Sequence, residues 1–124
     1  IGVRNSAAIA ISSTNGSSTT NISTLTLGPG HWAVFGKVEI AQGSYTSALE
    51  CHLYDPIGDF DTSRVRGGSG DVTAVPLQIV FTTTSATSVV ALGCAKVGGG
   101  TGSADEEEGM ITAIELGSET HSGS

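Results

Sequence analysis

The chain has 124 residues, 38% of them hydrophobic, with 18 glycines, two cysteines and a net charge of −7 from 12 acidic and five basic side chains. That length suits one domain with a core of its own, and a composition rich in Gly, Ser and Thr suits short strands and many turns. The cations Arg4, Lys37, Arg64, Arg66 and Lys96 are scattered, which argues against nucleic acid or an anionic membrane as partner, and no apolar run reaches the roughly 18 residues of a spanning helix.

Val3 to Ser12 alternates weakly and reads as an edge strand or one packed under a neighbour. Ser13 to Thr20, with its Asn15-Gly16 step, reads as a turn. Ile22 to Leu27 is a brief strand, stopped by Gly28-Pro29-Gly30. The strongest pattern follows, from His31 to Tyr54. Trp32, Val34, Val38 and Ile40 share one face of a first strand and Leu49, Cys51 and Leu53 one face of a second, predicting an antiparallel hairpin with a Gly43-Ser44 turn.

Asp55 to Asp59 is a loop, Phe60 to Arg66 a short polar strand and Gly67 to Gly70 a turn. Val72 to Thr83 places Val75, Leu77, Ile79 and Phe81 on one face. Pro76 has no N–H to donate, so that strand belongs at a sheet edge or carries a bulge. Thr87 to Val97 sets Val90, Leu92 and Cys94 on its apolar face. A long acidic loop, Gly98 to Glu108, leads into a last strand, Met110 to Leu116, with Met110, Ile114 and Leu116 on one face and Ile111 and Ala113 on the reverse.

Seven or eight strands without a helical period predict an all-β, two-sheet antiparallel sandwich over residues 1–117, with a flexible tail at 118–124. A jelly roll is favoured over an immunoglobulin sandwich, in which the hallmark Trp lies between the two cysteines; Trp32 precedes both. Cys51 and Cys94 are too far apart for a zinc motif and point to a disulfide, with two buried thiols as the competing reading.

Few residues suggest chemistry. Asp55, Asp59 and Asp61 bracket a Pro-Gly loop where Ca2+ would find oxygen ligands; the spacing is not that of an EF-hand, and solvated loop acids are the plainer reading. Asp105-Glu106-Glu107-Glu108 reads as a solvated run whose copies around a symmetry axis would need calcium or protonation. His31 and His52 could approach each other but lack a third ligand. No nucleophile elbow, oriented base or phosphate cradle is present, so no residue is assigned as catalytic and no other cofactor is expected.

The run LTLGPGHWAVFGKVEI, then Cys51-His52-Leu53, the loop from Asp55 to Asp61, Leu92-Gly93-Cys94 and Ile111-Thr112-Ala113-Ile114, resembles the complement/tumour-necrosis-factor-like globular jelly rolls, particularly the small bacterial and phage-encoded versions. The likeness spans about Leu25 to Leu116. It implies a jelly roll that assembles as a compact homotrimer and binds partners through loops or outer faces without catalysis. No receptor-binding residue is carried over.

Oligomerisation also follows from the residues. A small all-β domain must protect its edges, and a last strand apolar on both faces leaves Ile111 and Ala113, with Val80 and Phe35, for another subunit to cover. The competing reading sets that strand centrally beneath a loop. The expectation is a non-enzymatic structural or interaction module, secreted or on a virion or cell surface. The alternative is a carbohydrate-binding jelly roll, with Trp32, Tyr45 and Tyr54 as its candidate platform.

Overall fold

The period-two pattern is realised as strands throughout the described residues, 1–11, 20–55, 60–97 and 102–117 of a computed structural model. The strands are β1 (Gly2–Asn5), β2 (Ile9–Ala10), β3 (Thr20–Leu27), β4 (Gly30–Gln42), β5 (Leu49–Tyr54), β6 (Phe60–Val65), β7 (Val72–Thr83), β8 (Ser88–Lys96) and β9 (Ala104–Leu116). The Asn15-Gly16 step, the Pro56-Ile57-Gly58-Asp59 stretch, Gly98-Gly99-Gly100 and the expected tail at 118–124 lie outside the described residues.

One sheet has the order β1-β9-β4-β7, with β2 also on β9; the other has the order β3-β8-β5-β6. All neighbouring pairs are antiparallel. After β2 the chain crosses from one sheet to the other at every connection except β5 to β6. With β1 and β2 counted as one interrupted strand, this is an eight-stranded jelly roll, four strands to a sheet.

The expected hairpin over His31 to Tyr54 is corrected: β4 and β5 lie in different sheets and face each other across the core. Two strands with apolar stripes bury both by packing face to face, and the connecting loop is built for the crossing. Tyr45 is fully buried between the sheets. The Gln42 amide donates to Tyr45 O at 2.9 Å and Ser47 O at 3.3 Å and accepts from the Gly67 N–H at 2.6 Å, so a buried polar group is satisfied while it ties two loops together.

The sheets interlock through missing side chains. Gly36 faces inward on β4, where an added Cβ would sit 3.2 Å from the Cδ1 atoms of Leu53 and Leu92. Gly109 does the same on β9: Ile22 fills the space its Cβ would need, and Ser23 Oγ donates to Gly109 O at 3.2 Å. Trp32 is buried in the core with its indole N–H donated to Gly28 O at 3.0 Å. Cys51 and Cys94 are directly opposed on β5 and β8 and form a disulfide, with Cα atoms 4.0 Å apart. β7 is an edge strand, as Pro76 requires.

β9 departs most from expectation. It begins at Ala104, inside the stretch read as an acidic loop. Its ladder with β4 shifts register, pairing Glu39 with Glu108 but Ile40 with Glu106, so Glu107 is the extra residue of a bulge. Because side chains alternate strictly, this shift decides which residues enter the core. Ala104 and Glu106 point inward before the bulge, and Gly109, Ile111 and Ala113 after it. The expectation that Ile111 and Ala113 face another subunit is therefore corrected: they are 0 % and 2 % exposed, and Met110, Thr112 and Ile114 face outward. Both parities are apolar here, so alternation alone could not choose; the fit of Ile22 against Gly109 does.

Candidate functional site

β4 is the central long strand of its sheet, paired along its length with β7 on one side and β9 on the other. Side chains directly opposite on paired strands share a face. The outer face therefore consists of cross-strand rows: Val80, Ala33 and Ile114; then Gln78, Phe35 and Thr112; then Pro76, Lys37 and Met110. His31 heads the next row, between Thr82 and Leu116, with its Nδ1 2.7 Å from Thr82 Oγ1. Phe35 is 44 %, Val80 62 % and Ile114 53 % exposed. From strand and residue spacings, the four rows cover roughly 20 Å by 15 Å, on the order of 300 Å².

The face has relief and a charged rim. An open hollow of about 360 Å³ at the β7 edge is lined by Phe35, Pro76, Leu77, Gln78 and Asp61. Beyond Met110, Arg4 on β1 pairs with Glu108 at 2.8 Å, and Lys37, Glu39, Glu108 and Met110 surround a smaller hollow.

The other outer face, over β3-β8-β5-β6, has a different chemistry. Glu50 accepts from Arg64 Nη2 at 2.5 Å and Nε at 3.2 Å and lies 3.1 Å from His52 Nε2. His52 Nδ1 is 3.0 Å from Thr62 Oγ1, and Tyr54 OH donates to Asn21 Oδ1 at 2.9 Å. These groups satisfy one another. Val89 alone is a large exposed apolar side chain there among the described residues. The expectation that His31 and His52 could approach each other is corrected, since they lie on opposite outer faces.

Of the residues singled out from the sequence, Phe35 and Val80 lie close together on the apolar face, whereas Ile111 and Ala113 are inside. Met110 and Ile114 take their places. Asp59 lies outside the described residues, Asp55 is buried, and Asp61 Oδ2 accepts the outward N–H of Gln78 at 2.9 Å, capping the β7 edge. Among the described residues no three His, Cys, Asp or Glu side chains are grouped to hold a metal. Of the aromatic platform, Trp32 and Tyr45 are buried and Tyr54 is half-buried and hydrogen-bonded.

The expectation that the Asp105–Glu108 run is solvated is corrected at Glu106. It is 0 % exposed, and neither carboxyl oxygen has a hydrogen-bond partner. Burial pushes its carboxyl up to about 8, and the Cys94 main chain pulls it the other way. Counting back by twos from Ile111 puts Glu106 outward; only the bulge turns it in.

No family model matches the chain, and no curated protein matches it in sequence. Solved structures do match in fold. A chain of infectious bursal disease virus, Gx strain, superposes with a TM-score of 0.58 at 16% identity over 96% of this chain and 32% of its own length. VP2 of the infectious bursal disease virus subviral particle gives 0.52 at 14% identity over 93% and 32%, and a chain of the T13 viral particle of that virus gives 0.54 at 15% identity over 93% and 31%. The chain thus spans about a third of the length of the proteins it resembles. These neighbours share the jelly roll, and all three are chains of infectious bursal disease virus.

Proposed function

We propose that this chain is a non-enzymatic structural module of a virus-type coat, which assembles with copies of itself through the outer face of the β1-β9-β4-β7 sheet. One observation carries the reading. Phe35, Val80, Met110 and Ile114 stand together on one outer face, while the polar groups of the other face bind one another. An exposed apolar patch of this size is often the functional surface of a small domain.

The likeness to chains of a subviral particle and a viral particle supports the occupant as a second copy, because such particles repeat one protein many times. A stable interface hides about 800 Å² on each partner, so the apolar rows would form its centre and Arg4, Lys37, Glu39 and Glu108 its rim. We take the assembly to be a homotrimer. Its place would be a virion surface or another extracellular setting, where the Cys51–Cys94 disulfide would persist.

Sedimentation of the purified chain over a range of concentrations tests this. The expected result is a mass that rises with concentration to three chains. A single-chain mass throughout would overturn the reading.

A further inference from the structure

The apolar face makes no use of Glu106, which enters the core just before the β9 bulge. A carboxylate in an apolar interior, with no donor and no cation beside it, takes up a proton rather than remain charged. Its surroundings supply no cation, and the one donor nearby, the Cys94 main chain, does not outweigh burial. Ile40 on β4 and Ile9 on β2 are its direct cross-strand partners, and Cys94, tied into the disulfide, approaches from β8. β3 presents Ile22 and Ser23 to β9, at Gly109.

The charged group nearest in register on the facing sheet is Lys96, two residues beyond Cys94 on the same inner face. Its ammonium donates to Gly102 O at 2.8 Å and lies 5.1 Å from the centre of the Tyr45 ring, making no ion pair with Glu106. Asp105, Glu107 and Glu108 are half-exposed. Among the described residues no cation pairs with Glu106, and the Cys94 main chain offsets its charge only in part.

The cover over this carboxyl is uneven. On the β4 side, β9 is held along the length of both strands. On the other side lies β2, two residues long, paired only as Ile9 with Glu106 and Ala10 with Asp105 and continued by one hydrogen bond from Ile11 N–H to Ala104 O at 2.9 Å. Short elements with few contacts open first.

We propose that Glu106 is a proton-operated fastening for the first strand of the jelly roll: protonated, it allows β2 to close over the interior, and ionised, it draws water in past β2 and releases that strand. The direction follows from linkage. The native chain keeps a proton to about 8 that the unfolded chain gives up near 4.5. The contribution is therefore complete below pH 4.5, falls as pH rises and is lost above about 8. The module is tightened by acid and loosened by alkali, whether or not it assembles.

Urea unfolding of the native chain and of Glu106→Gln between pH 4.5 and 8 tests the proposal. In the native chain the folding constant should fall about tenfold per pH unit, because one proton is released on unfolding; in the variant it should stay nearly level. Above pH 8, the Ile9, Ala10 and Ile11 amides of the native chain should exchange about tenfold faster than those of Glu106→Gln at the same pH. Parallel pH profiles, or equal exchange, would overturn the proposal. If Glu106→Gln does not fold, the carboxyl carbon resonance of Glu106 in the native chain decides: titration near 8 supports the fastening, and titration near 4.5 overturns it.

Discussion

The two outer faces of this sandwich are built on the same interior and differ in almost everything else. The β3-β8-β5-β6 sheet is made of strands of six to nine residues, is bridged by the Cys51–Cys94 disulfide, and carries polar side chains that bond to one another. The β1-β9-β4-β7 sheet is built on strands of 12 and 13 residues, has no disulfide, and leaves Phe35, Val80 and Ile114 open to solvent. A satisfied polar face gains nothing from a partner. An open apolar one would, so under the proposed function the contrast gives stability to one sheet and association to the other.

The largest effect should come from breaking the staple. Cys51 and Cys94 close a loop of 43 residues, and in the chain-entropy model a loop of that length contributes about 4 kcal/mol by restricting the unfolded chain. Cys51→Ala with Cys94→Ala should lower the unfolding free energy by about that amount in urea titration. At a concentration where both chains remain folded, self-association should be unchanged. A disulfide-free chain that folds as stably but no longer associates would reverse the division of labour between the sheets.

The second test works on the other face. Phe35→Glu with Val80→Glu places two carboxylates at the centre of the apolar rows. Burying them without partners should weaken association at least about a hundredfold, equivalent to about 2.7 kcal/mol. The stability of the single chain should change by no more than about 0.5 kcal/mol, since both positions are exposed. Sedimentation reads the first quantity and urea titration the second. Loss of both together would mean that these side chains serve the fold instead.

Much of this contrast could be read from the sequence, and the failures have a common cause. Trp32, Val34, Leu53, Leu77 and Leu92 follow from alternation because the larger apolar side chains of their strands gather on one parity. Pro76 located an edge because it lacks a donor. Cys51 and Cys94 point to a disulfide because their spacing suits no zinc motif, and both lie on core parities. Alternation failed where it was ambiguous, at Met110 to Leu116, and where an extra residue interrupts it, at Glu107. The same bulge hid Glu106, an acidic residue in an acidic run that turns inward. Pairing between strands was the other blind spot: β4 and β5 have matched apolar stripes, and nothing in either segment says whether the stripes lie side by side or face each other. The crossing is held by Gln42 at the end of β4 and Tyr45 in the loop.

The smallest effect should come from the polar face, and it is the control on the others. Arg64 is the exposed partner of the Glu50 ion pair, with its side chain 64% accessible against 19% for Glu50. Solvent and salt screen such a pair, so Arg64→Ala should cost no more than about 0.5 kcal/mol in urea titration. His52 Nε2 still lies 3.1 Å from Glu50, so the carboxylate is not stranded by the change. Because the side chain belongs to the face that already satisfies itself, its removal should leave the sedimenting mass unchanged at every concentration. If Arg64→Ala instead weakened association as strongly as the paired glutamates at Phe35 and Val80, the contact between copies would lie over β5 and β6, and the apolar rows on β4, β7 and β9 would need another occupant.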